Sequence, residues 1–156
     1  DYHPPLSTLI HRFKFSGTAE LAPALARLLL LAVRQRSDLP APQQLISVPL
    51  WQRRHWRRGY NQSELLCRPL ARWLSLRYQS RAMTRVRPTA TQHQLSARLR
   101  KHNLKHAFQL ELPLQGRHMV IVDDVVTTGS TVAEISRLLL RNGAASVQVW
   151  CLCRTL

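Results

Sequence analysis

Apolar positions along the chain recur at two spacings, and the switch between them outlines the fold. Leu6, Leu9, Ile10 and Phe13 fall at helical intervals behind Pro4 and Pro5, so a first helix is expected there, stopped by Gly17. Thr18 is placed to N-cap a second helix, with Leu21, Leu25, Leu28 and Leu29 on one face. Pro40 and Pro42 break the pattern, and Leu45-Ile-Ser-Val-Pro-Leu50 reads as a short strand ending at Pro49. Helical spacing returns from Ser63, with Leu66, Leu70, Trp73 and Leu74 on one side and Pro69 predicting a kink. Ala82 to Val86, Ala107 to Leu112 and His118 to Val122 read as strands, and Ser96 as the cap of a short basic helix from Ala97 to Leu104. Ser130 to Arg141 is a helix closed by Gly143 in the C′ position, and Ser146 to Cys153 is a last strand. Strands alternating with helices predict an α/β fold in one domain, with a mainly parallel central sheet flanked by helices. No internal repeat, low-complexity tract or second domain is visible.

Composition adds a real core and removes some classes of function. The 156 residues are 45% hydrophobic, enough for one ordinary domain. The longest apolar run, Leu28 to Val33, is too short to cross a bilayer, so no membrane partner is expected. The start lacks the pattern of a secretory signal, and Asp1 in place of Met suggests a fragment or processed form with a segment missing upstream. Cys67, Cys151 and Cys153 make no disulfide framework and read as buried small hydrophobes, which fits a reducing cytoplasm. The seven histidines show no metal-site spacing.

Charge changes the picture most. Lys and Arg number 23 against 8 acids, a formal net charge of +15, and from Trp51 to Lys105 there are 14 basic residues and one acid, Glu64. Such a field attracts polyanions, and both nucleic acid and small polyphosphates qualify.

One segment carries chemistry in its order of residue types. Met119-Val-Ile-Val122 is a continuous apolar run, as in a strand buried on both faces. Asp123 and Asp124 follow at its carboxyl end, the edge where open α/β sheets bind ligands. Thr127, Thr128, Gly129, Ser130 and Thr131 then lead into a helix, so hydroxyls, backbone N–H groups and a positive dipole end converge, as suits a phosphate monoester. The paired carboxylates suit sugar hydroxyls or a divalent cation instead. A plain strand end and helix cap is the bland alternative, but strand, acids, hydroxyl–glycine loop and helix in unbroken order favour a site. The phosphate loops of mononucleotide and dinucleotide folds are absent.

Val120-Ile-Val-Asp-Asp-Val-Val-Thr-Thr-Gly-Ser-Thr131 resembles the signature of the type I phosphoribosyltransferases. The resemblance implies that Asp123 and Asp124 are the catalytic pair and meet the ribose hydroxyls of phosphoribosyl diphosphate. It implies a binding segment running on through Val125 and Val126, with Thr127 to Thr131 around the 5′-phosphate, and Mg2+ as cofactor. A narrower resemblance lies in Pro49-Leu-Trp-Gln-Arg-Arg-His-Trp-Arg-Arg-Gly-Tyr-Asn-Gln62, Gln94-Leu-Ser-Ala-Arg-Leu-Arg-Lys-His-Asn-Leu-Lys-His-Ala-Phe108 and Leu9-Ile-His-Arg-Phe-Lys-Phe15. These are similar to the ComF/GntX family of type I phosphoribosyltransferase-like proteins. That family is associated with uptake and use of external DNA, and its members typically carry an N-terminal zinc-ribbon-like segment, which is expected to be absent from this chain.

The basic stretches admit two readings each. The loop from Trp51 to Asn61 follows an early strand, where this fold commonly cradles pyrophosphate. Arg57, Arg58 and Gly59 are the best candidates there, ahead of Arg53 and Arg54, against a solvated basic surface. Trp51 and Trp56 read as packing covers, although their interleaving with Arg keeps nucleic acid open. Gln92 to Lys105 reads equally as a closing loop or as an ordinary basic helix. Lys14, between Phe13 and Phe15, either snorkels along the core edge, the favoured reading, or reaches pyrophosphate. Two functions follow: a binder of phosphoribosyl diphosphate that transfers the phosphoribosyl group to a nitrogen nucleophile and releases pyrophosphate, or a non-catalytic nucleic-acid-handling or regulatory protein on the same scaffold. The acceptor is not named by any residue.

Overall fold

The structure is a computed structural model that describes residues 3–15, 18–36, 38–50, 59–86 and 107–155. Its central sheet follows from the apolar runs of β1 (Gln44–Ser47) and β5 (His118–Val126), which pair in parallel from Gln44↔Met119 to Ser47↔Val122. Short β2 (Arg77–Tyr78) adds to the far side of β1, and β6 (Ser146–Arg154) to the far side of β5, giving the order β2-β1-β5-β6, all parallel. The mainly parallel sheet flanked by helices is the expected architecture.

Period-two alternation sends neighbouring residues of each strand to opposite faces, and both faces are buried. Leu45, Val120 and Val122 pack with Phe13 of α1 (Leu6–Phe15), Leu25 and Leu29 of α2 (Ala22–Arg34), and Leu66 and Leu70 of α3 (Gln62–Leu74). Ile46, Met119 and Ile121 pack with Val132, Ile135 and Leu139 of α4 (Ser130–Arg141). A small antiparallel pair, β3 (Met83–Arg85) with β4 (Phe108–Leu110), adds Met83 and Phe108 to that second core.

Several boundaries differ from expectation for local reasons. Thr18 caps no α-helix; it precedes a 3-10 helix (Ala19–Leu21), and its buried hydroxyl has no hydrogen-bond partner among the described residues. The second helix starts at Ala22 because Pro23 fits a first turn, where no N–H is needed. Leu28 and Trp73 lie on exposed surface, not on the buried faces assigned to them. α3 runs through Pro69 as one helix, since Leu66, Cys67 and Leu70 are all fully buried and hold both sides of it. β2 went unseen because two residues carry no periodicity. Gly143 adopts the left-handed conformation expected past the end of α4, at φ 93°. Gly17 and the helix expected over Ala97 to Leu104 lie outside the described residues. Among the described residues no helix is long and apolar enough to cross a membrane.

The chain leaves β1 for β2 on one side and returns to β5 on the other. The topological switch point therefore lies between β1 and β5, where the carboxyl ends of parallel strands leave a crevice.

Candidate functional site

β5 is longer than its apolar run. Its pairing with β1 stops at Ser47↔Val122, extended by one bond from Val48 N–H to Val122 O (3.1 Å). Its pairing with β6 continues to Val126↔Arg154. Asp123 and Asp124 are thus strand residues, not the first residues after a strand, and they overhang the end of β1 with β6 as their backing. Pairing to β6 on both sides of Asp124, at Asp123↔Cys151 and Val125↔Cys153, holds this segment extended.

The environment of each acid is distinct. Asp123 Oδ1 accepts from Ser63 Oγ at the start of α3 (3.2 Å) and from the Asp124 backbone N–H (2.9 Å). Asp124 Oδ1 accepts from the Val125 N–H (2.6 Å) and lies 3.1 Å from Lys14 Nζ. These contacts all fall on Oδ1 of each acid. Asp123 keeps some exposed surface, but protein crowds it enough that burial, then the charge of Asp124, push its carboxyl up to about 7. The Asp124 N–H, Lys14 and Ser63 oppose that rise only in part.

Beyond Val126, which is buried in the core, the chain turns in three residues to α4. Thr127 and Thr128 are exposed, and Gly129, Ser130 and Thr131 are partly so. Gly129 occupies the N-cap position with φ 73°, a left-handed conformation that favours glycine. Its carbonyl accepts the Ala133 N–H (2.9 Å), and the Thr128 and Ser130 hydroxyls lie 3.0 Å apart. The N-terminal turn of α4 therefore emerges among hydroxyls, with the Ser130 N–H donating to Thr128 Oγ1 (3.5 Å), an arrangement that suits an anion.

Three contributors were not legible beforehand. Asn61 N-caps α3 by accepting the Ser63 N–H (3.1 Å) and donates through Nδ2 to Val48 O (3.0 Å), tying α3 to the end of β1. Its residue type is a cap signal that went unused. Ser63, expected only as a helix residue, orients Asp123. Lys14 ends on Asp124, so the favoured snorkelling reading is replaced by an ion pair. Gly59 is exposed with φ 75°, whereas Arg57 and Arg58 lie outside the described residues. Among the described residues no cluster of three or more His, Cys, Asp or Glu could hold a metal, so Asp123 and Asp124 supply at most part of a coordination shell.

Comparison with known proteins agrees with this fold. The phosphoribosyl transferase domain family matches residues 64–156. The DNA utilization protein YhgH of Escherichia coli O6:H1 is 73% identical over 159 residues, covering 100% of this chain and 70% of that protein. Competence protein F of Haemophilus influenzae is 48% identical over 161 residues, covering 98% of this chain and 69% of its own. A hypoxanthine-guanine phosphoribosyltransferase of Bacillus anthracis superposes with a TM-score of 0.53 at 12% identity, covering 89% of this chain and 69% of that one, a likeness of fold alone. The chain therefore belongs to the phosphoribosyl transferase domain family, in its ComF branch.

Proposed function

We propose that the edge formed by β5, its turn and α4 binds phosphoribosyl diphosphate. The observation that carries this reading is the overhang of β5 beyond β1, which sets two carboxylates and a hydroxyl–glycine turn on one side of the switch point. The α4 N-terminus with Thr127 to Thr131 takes the 5′-phosphate, and Asp123 and Asp124 accept from the ribose hydroxyls. Arg57, Arg58 and Gly59 serve the diphosphate. Hard carboxylate oxygens fit Mg2+, and two of them fit a cation whose other ligands come from substrate phosphates. When bound, that ion would offset charge on the departing pyrophosphate. Transfer to a nitrogen nucleophile is the finer form of the proposal, with positioning and charge stabilisation as the protein's part. A cytoplasmic location fits such a ligand.

Calorimetry with Mg2+ and phosphoribosyl diphosphate tests the reading. The Asp124→Asn/Thr128→Ala variant should lose binding by at least about 100-fold, the scale of removing charged contacts. Undiminished affinity in that variant would overturn the assignment.

The names of the relatives just described and the 14-to-one basic excess between Trp51 and Lys105 support a second reading, nucleic-acid handling on the same scaffold. DNA affinity should then fall steeply with salt, and a retardation assay showing no complex even at low salt would rule it out.

A further inference from the structure

We propose that Lys14 is the resident cation of the acid pair: it keeps free divalent metal off Asp124 and yields only to a metal that arrives on an anionic ligand. The inference rests on the reading that Asp123 and Asp124 face such a ligand.

The contact is built by the fold. Lys14 Nζ lies 3.1 Å from Asp124 Oδ1, with the two side chains 21% and 11% exposed. A pair so far out of water is weakly screened and must be well matched to persist. Its backbone is held in place: Phe13 is fully buried, and its carbonyl accepts the Tyr60 hydroxyl at 2.7 Å. Tyr60 in turn adjoins Asn61, which is bonded to Val48 at the end of β1. The last turn of α1 is thus fastened to the carboxyl edge of the sheet, and the ammonium is delivered to Asp124 from a segment remote in sequence.

Electrostatics then decides what can enter. A bare divalent ion at Asp124 would meet a fixed ammonium at a similar distance and compete with it for one carboxylate. Asp123 alone offers only its second oxygen, because its Oδ1 is engaged by Ser63 and by a backbone N–H, and a single carboxylate oxygen makes a weak site for a bare divalent ion. A metal carried by a polyphosphate differs, because its phosphate oxygens give Lys14 a new anionic partner. The ion pair is exchanged, not lost, and the net charge brought in is negative. The arrangement selects for the loaded ligand over the free ion.

The test is a gain of function. Mn2+ binding to the ligand-free protein would be followed by water proton relaxation and by broadening of amide signals near Asp123. Lys14→Met should bind Mn2+ at least about tenfold more tightly than the parent, the effect of deleting one nearby charge. Lys14→Arg, which keeps the charge, should behave as the parent, and Lys14→Met/Asp124→Asn should lose the gain. Unchanged Mn2+ affinity in Lys14→Met, or a gain that survives Asp124→Asn, overturns the proposal. Lys14→Gln carries the same expectation should the Met variant fail to fold. No phosphoribosyl diphosphate is present, so a failure here leaves calorimetric binding of that ligand intact, and loss of that binding leaves this result standing.

Discussion

The two strand-to-helix corners at the carboxyl edge of the sheet are built on opposite plans. The corner from β5 to α4 takes three residues, and its acids, hydroxyls and glycine are consecutive in the chain. The corner from β1 to α3 spans residues 48–61, and its described chemistry comes from side chains gathered by packing: Asn61, Ser63 and, from α1, Lys14. The first corner is a local object, whose shape follows from backbone preferences of adjacent residues. The second exists only once three helices have docked on one face of the sheet. The chemistry of the proposed ligand site is readable in the first, and support chemistry is hidden in the second.

The sharpest way to break this contrast is at the local corner. Gly129→Val places a β-branched residue at φ 73°. The nearest atom to an added Cβ is Val126 Cγ1 at 4.0 Å, so at Cβ the cost is conformational and not steric. It should lower stability by about 2 kcal/mol in thermal denaturation and reduce phosphoribosyl diphosphate affinity by at least about tenfold. Unchanged melting would show that the corner does not need this conformation.

Asp123 joins the two corners, and its titration reports on both. Its carboxyl is raised to about 7 in the folded chain, against 3.8 for an ordinary aspartate. The folded state then holds this proton more tightly than the unfolded state. Stability from this group is full below about pH 4 and is lost as pH rises towards 7. Asp123→Asn should remove that dependence and raise stability by about 1–2 kcal/mol at pH 8, read from denaturant midpoints across pH. A parent protein that gains stability from pH 4 to 7 by the same amount as the variant would contradict the buried, raised carboxyl.

The smallest effect isolates the packed corner. Asn61→Ala removes the cap on α3 and the bond to Val48. It should cost about 1 kcal/mol of stability while changing ligand affinity less than Gly129→Val does. Equal losses of affinity from both variants would erase the distinction between a binding corner and a supporting one.

Legibility followed the range of the interactions. α4, β6 and the apolar start of β5 were read close to their final bounds because a buried parallel strand and an amphipathic helix announce themselves in consecutive residues, whereas the extension of β5 to Val126 was not. β2 was invisible, since it is a strand only because β1 lies beside it, from Gln44↔Arg77 to Leu45↔Tyr78. Leu28 was misplaced because helical spacing shows a face but not what covers it. Lys14 was read from its two aromatic neighbours, which say nothing of an acid on a strand far along the chain.

By itself the sequence determined the α/β class, the apolar strand, the paired acids and the hydroxyl–glycine turn, all set by local backbone and burial preferences. Tertiary structure alone decided that Asp123 and Asp124 lie within β5 beyond the end of β1. It also decided that one carboxylate is pushed towards its neutral form while the other holds a lysine. Those outcomes depend on strand register and on which charges docking brings together, and neither is encoded in any single stretch of the chain.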